Sequence, residues 1–314
     1  TIAKILSLLG LIVLGIYIGL NSDAFKANLA NFWTPYSVKV SASGVVTKEL
    51  LSGVVLYGAI GAAMIGSLFS SDSWNTITYT AGEVKDPQRN IPLSLFFGTL
   101  IVTILYILAN VAYLMLLPIY GSPEGANVLE RGIMFASQDR VGTAAASIIF
   151  GSAAVSIMAL LIMVSTFGCN NGLILAGSRV YYTMAKDGLF FKKAGTLNKN
   201  EVPAYGLWIQ ALVASLLCLS GKYGDLLTMV SFIVVIFYVL TIIGIFILRK
   251  KEPNLPRPYK AFGYPVLPAI YIVMATVFCI GLVYTKPFYS LWGLVITLMG
   301  IPLYYIALRN QKAA

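Results

Sequence analysis

The stretch from Gly66 to Tyr79 reads Gly-Ser-Leu-Phe-Ser-Ser-Asp-Ser-Trp-Asn-Thr-Ile-Thr-Tyr, and its polar side chains interrupt an apolar run extending from about 51 to 80. A continuous helix in hydrocarbon gains nothing from such groups, and an aspartate at the centre of a span costs about 2.5–3.5 kcal/mol on insertion scales. Ligand binding at an unwound helix would compensate. Unwound backbone is tolerated at membrane depth only where protein or a water-filled cavity satisfies it. An upstream half-helix ending near Phe69 would present carbonyls suited to an ammonium; a downstream half beginning near Ser73 would present N–H groups suited to a carboxylate. The candidate contact residues are therefore Phe69, Ser70, Ser71, Asp72 and Asn75. The plainer alternatives are that Asp72 or Ser73 caps the second half-helix beside trapped water, and that Phe69 is ordinary packing.

The elements that must hold such a break are set by the solvent around them. Of the 314 residues, 58% are hydrophobic and 11% charged, against about 25% charged in soluble domains. The apolar residues fall in blocks near the roughly 20 residues that cross a bilayer core. Eight candidate spans result: 3–20, 51–80, 93–117, 142–170, 204–220, 226–248, 264–284 and 288–308. Proline or charge bounds most of them, as at Pro92, Pro118, Pro203 and Arg249-Lys250-Lys251. The fold class expected is an all-α membrane protein with eight transmembrane helices.

A net charge of +10 could indicate nucleic acid, but the basic residues sit in loops on alternate sides of the spans rather than on one face. Loops 81–92, 179–203, 249–263 and the C-terminus carry about twice the Lys and Arg of the opposite set, which assigns them, and both chain ends, to the cytoplasm. Cys169, Cys218 and Cys279 lie within apolar blocks and behave as small hydrophobes, so no disulfide framework is implied. The absence of histidine removes imidazole-based metal ligation and general-base catalysis. No cofactor and no enzymatic activity are expected. Gly15 and Gly19 have the spacing of a close helix crossing. The chain enters its first span directly from Thr1, without a basic leader or cleavage site, and the expectation is that further sequence normally precedes it.

Leu68-Phe69-Ser70-Ser71-Asp72-Ser73-Trp74-Asn75, followed by Glu83-Val84-Lys85-Asp86-Pro87-Gln88-Arg89-Asn90-Ile91-Pro92, resembles the sixth helix and following loop of L-type amino-acid transporters, within the amino acid–polyamine–organocation superfamily. Ser165-Thr166-Phe167-Gly168-Cys169-Asn170-Asn171-Gly172 with Ser178-Arg179, Ala185-Lys186-Asp187-Gly188, and the segment from Arg249 to Pro258 are similar to later helices and loops of that family. The resemblance implies an inverted-repeat transporter fold lacking its first four helices: a single permease domain over 1–314, with helix five at 1–20, the second repeat at 51–248 and two C-terminal helices at 264–308. It implies that the Phe69 ring gates the substrate while its carbonyl faces the substrate ammonium, and that Asn75 lies near the site. Asp72 resembles the acid of the branch that accepts dibasic substrates. Lys4 matches a lysine that replaces a sodium ion in sodium-independent members, with Ser165 or Cys169 as neighbours; from the residues alone, Lys4 would snorkel to the interface. Glu83 and Arg89 would pair in a cytoplasmic gate, or simply end a helix in solvent.

The function expected is secondary active transport of amino acids across the plasma membrane, by sodium-independent exchange or proton coupling, with a preference for cationic substrates. The partners expected are an amino-acid substrate and the lipid bilayer, without nucleic acid. The alternative is a truncated, non-transporting remnant or an accessory membrane subunit; an accessory partner of this chain is left open. A channel would need repeated filter-like segments, and the sequence has none.

Overall fold

A computed structural model describes residues 2–41, 45–220, 223–257 and 263–312. The described chain is mostly helical and carries one two-stranded sheet. In chain order the elements are α1 (Ile2–Gly19), α2 (Asp23–Ala30), β1 (Tyr36–Val40), β2 (Val46–Leu50), α3 (Gly53–Ser70), a 3-10 helix (Trp74–Glu83), α4 (Pro87–Leu116), α5 (Val128–Arg131) and α6 (Val141–Phe150). There follow α7 (Ala154–Lys186), α8 (Ala204–Ser220), α9 (Tyr223–Lys251), α10 (Val266–Thr285), α11 (Pro287–Leu298) and α12 (Gly300–Lys312). They form two compact units, Thr1–Leu56 with Gly98–Gly172, and Tyr57–Phe97 with Leu173–Ala314.

Six helical segments are long and apolar enough to cross a membrane, and the count is seven if the pair Lys4–Gly19 and Asp23–Ala30, bent by 87°, is one span. The eighth expected span is α8, whose 17 residues rise only about 26 Å against a core of about 30 Å. The expected span at 142–170 lies within one longer spanning segment, Val141–Lys186, made of α6 and α7. Gly151 takes a left-handed φ of +59° between α6 and α7. The second of them then runs 33 residues to Lys186, about 50 Å and thus longer than the bilayer core. Its polar Thr166 does not end it, because the hydroxyl donates back to the Ile162 carbonyl at 2.8 Å, as threonine does inside helices. Pro87 opens α4 earlier than the expected 93, a first helical position where no amide is lost.

In the first unit α1 crosses α4 closely: a Cβ on Gly15 would lie 3.1 Å from Ala112 Cβ, and one on Gly19 only 2.5 Å from Met115 Cβ. The G-x-x-x-G spacing thus serves packing. Asn28, buried on α2, donates to the carbonyls of Leu114 (2.7 Å) and Leu117 (2.8 Å) and accepts from the Ile119 amide (2.9 Å). The orphan carbonyls that end any helix are satisfied there by one amide side chain. Ser22 donates to the Met115 carbonyl beside it. The purely helical expectation misses the antiparallel hairpin β1–β2, in register Tyr36 to Leu50 and braced by a 2.7 Å Lys39–Glu49 ion pair.

In the second unit Phe232 and Val235 on α9 meet Ala275, Phe278 and Leu282 on α10, and Met64 and Leu68 from α3 pack against the same cluster. The last turns of α3 thus lie against the cluster that α9 and α10 form. Gly293 on α11 lets that helix approach α9, since a Cβ there would meet Ile233 and the Met229 carbonyl at 3.3 Å.

Candidate functional site

The break lies where the polar residues predict it. Helix α3 stops at Ser70, and after a turn the chain resumes as a 3-10 helix at Trp74. Ser73, at φ +66°, forms the corner. This is the left-handed region that side chains other than glycine rarely occupy. Ser73 makes no side-chain capping hydrogen bond. The resumed helix holds the tighter 3-10 winding for 10 residues, where such runs rarely exceed three or four.

The carbonyls at the end of α3 are more occupied than the sequence suggests. Ser70 Oγ donates to the Ser67 carbonyl and Ser71 Oγ to that of Leu68, both at 2.9 Å. The Asp72 amide donates to the Phe69 carbonyl at 3.1 Å. A carbonyl accepts two bonds, and among the described hydrogen bonds Phe69 accepts one, while Ser70 and Ser71 turn back onto their own helix. The Phe69 side chain is 39% exposed and is not part of a packed core.

Asp72 is partly buried, and its partner comes from α9. The Tyr238 hydroxyl donates to Asp72 Oδ1 at 2.5 Å and lies 3.4 Å from Asn75 Oδ1. Asn75 Nδ2 in turn donates to Tyr79 Oη at 3.3 Å. The Trp74 ring leans on Tyr238 with centroids 5.5 Å apart. Asp72 and Asn75, both expected from sequence, are thus joined through Tyr238, which sequence reasoning missed. The available signal was a phenol in the middle of Ile236-Phe237-Tyr238-Val239-Leu240, because a hydroxyl at membrane depth requires a polar partner.

Lys4 belongs to the first unit. Its partly buried side chain lies against α7 at Gly168, where an added Cβ would be 3.8 Å from Lys4 Cε and 3.9 Å from Nζ. Gly168 follows Ser165 by three residues and precedes Cys169, so the ammonium reaches the expected turn of α7. Ser165 is partly buried and Cys169 exposed. Among the described residues no acid pairs with Lys4. Arg89 is exposed in the first turn of α4. The backbone of Glu83 ends the 3-10 helix, but its side chain lies outside the described residues, and with it the expected gate pair.

Apolar helices of spanning length, one of them broken by a polar turn, define an integral multi-pass membrane protein. The sequence matches the amino acid permease family over residues 1–307, and the chain belongs to that family, one of transporters and not of enzymes. It is 28% identical over 259 residues to the large neutral amino acids transporter small subunit 2 of Oryctolagus cuniculus, covering 81% of this chain and 45% of that protein. Against the serine/threonine exchanger SteT of Bacillus subtilis the identity is 30% over 258 residues, covering 81% and 56%. Against the human b(0,+)-type amino acid transporter 1 it is 27% over 256 residues, covering 79% and 48%. The chain spans about half the length of the curated relatives it matches.

Proposed function

We propose that this chain serves sodium-independent secondary transport of amino acids in the plasma membrane, within an inverted-repeat fold, and that it favours cationic substrates. The observation that carries the reading is the broken helix with Asp72 at its turn, held by a neutral hydroxyl instead of a cation. The second acceptor position of the Phe69 carbonyl suits the substrate ammonium. Asn75 adds a neutral polar contact, and Asp72 faces the substrate side chain. Lys4 supplies, as a point charge on a flexible stem, the positive charge that a sodium ion provides elsewhere. Exchange is the mode favoured, since one relative is named an exchanger, and both chain ends are placed in the cytoplasm by the charge bias of the loops.

Uptake of arginine and leucine by the native gene product in proteoliposomes tests this. Asp72→Asn is expected to lower arginine uptake at least about tenfold, the effect of losing one charge-assisted hydrogen bond, and to spare leucine. Equal, unchanged uptake of both substrates overturns the cationic reading.

A further inference from the structure

One proton and two acceptors meet at Tyr238. Its hydroxyl is 2.5 Å from Asp72 Oδ1 and 3.4 Å from Asn75 Oδ1, so the phenol can donate to only one of them well at a time. We propose that Tyr238 is a specificity-determining residue that holds Asp72 as an internal stand-in for a cationic side chain, and turns to Asn75 when such a side chain arrives. This rests on the reading of Asp72 as a substrate-facing group.

The physical case is a competition for one carboxylate. A carboxylate at membrane depth must have a partner. Without a ligand, the phenol supplies one short hydrogen bond. Guanidinium offers five N–H donors and ammonium three, all of them charged, and charge-assisted bonds are about twice as strong as neutral ones. A cationic substrate therefore displaces the phenol, and the displaced hydroxyl has Asn75 within reach instead of being left unpaired. An aliphatic substrate offers no donor, so the Tyr238–Asp72 bond must persist beside it. On this account Tyr238 is what lets a site with an acid in it accept neutral amino acids. Two features hold it ready for both states. Its ring rests against Trp74, and its helix shares with α10 the apolar cluster against which Met64 and Leu68 of α3 pack.

The test compares Tyr238→Phe, which keeps the ring contact with Trp74 and removes only the hydroxyl, with Asp72→Asn and the double variant. Arginine and leucine kcat/KM would be measured in proteoliposomes, with competition binding in detergent as a readout independent of turnover. Tyr238→Phe is expected to raise the arginine-over-leucine ratio on the order of tenfold, the effect of freeing one hydrogen bond to a charged group, mainly through a lower KM for arginine and a higher one for leucine. In the Asp72→Asn background the same change should leave the ratio where it was. Equal losses for both substrates in both backgrounds would make Tyr238 a packing residue and overturn the proposal, as would a fall in the ratio. If Asp72→Asn shifts selectivity and Tyr238→Phe does not, only the role of Tyr238 fails. If Asp72→Asn shifts nothing, the reading of Asp72 fails and this proposal with it.

Discussion

A lysine whose head group turns toward a neighbouring helix must serve that helix pair or cost stability, since an ammonium out of water needs compensation. Lys4 is partly buried, and its Nζ would lie 3.9 Å from a Cβ added at Gly168 on α7. In the sodium-mimic role, wild-type uptake should be the same in sodium and in choline media, and Lys4→Ala should lose at least about 90% of it in choline, a tenfold effect for one fixed charge. Uptake that needs sodium in the wild type, or that survives Lys4→Ala unchanged, removes the role. At this scale the sequence was informative about which residues are polar and much less about what they touch. Asp72 and Asn75 stand out because hydrocarbon makes any polar cluster conspicuous. Tyr238 lies 166 residues from Asp72, and only the docking of α9 onto the end of α3 brings them together. The back-bonding of Ser70 and Ser71 depends on local rotamers, which composition does not reveal.

Among the elements, the crossing of α1 on α4 leaves no room for a side chain at Gly19. A Cβ on Gly19 would meet Met115 Cβ at 2.5 Å and Met115 backbone at 3.0 Å, whereas one on Gly10 would meet nothing within 4 Å. Gly19→Ala is therefore expected to destabilise the purified protein by about 1–3 kcal/mol through overpacking, visible as a lower melting temperature. Gly10→Ala should hold or raise it, alanine being the better helix former by about 1 kcal/mol; equal melting temperatures for the two variants would show that the helices separate freely at this point. Helix positions were legible because a lipid-facing helix must be apolar over a length fixed by the bilayer, and the ends of α1, α8 and α10 fall within two residues of those expected. What apolar length does not encode was missed. The Gly151 corner is one residue's backbone conformation, the long end of α7 lies beyond the apolar block, and the hairpin β1–β2 sits between spans. The 3-10 winding after Trp74 differs from an α-helix only in which carbonyl each amide selects.

For the molecule as a whole, the strongest constraint is the parity of crossings. Between Lys26 in α2 and Lys192 after α7 the chain contains three spanning segments, Gly53–Tyr79, Pro87–Leu116 and Val141–Lys186. If each crosses once, the two lysines face opposite sides, and in the proposed orientation Lys192 is the cytoplasmic one. Both side chains are exposed, so each can be replaced by cysteine for labelling. The background must first lose Cys169, Cys218 and Cys279, the free thiols of the chain. A membrane-impermeant maleimide should then label Lys26→Cys on intact cells and Lys192→Cys only after permeabilisation. Labelling of both from the same side would mean that the broken segment at Gly53–Tyr79 enters and leaves by one face, or that the corner at Gly151 turns α6 and α7 into a re-entrant pair. The first result would remove the geometry in which a half-helix break reaches the middle of the bilayer, and with it the physical reason for placing an amino-acid site at Asp72; labelling Lys85→Cys, which lies between the two segments, tells it from the second.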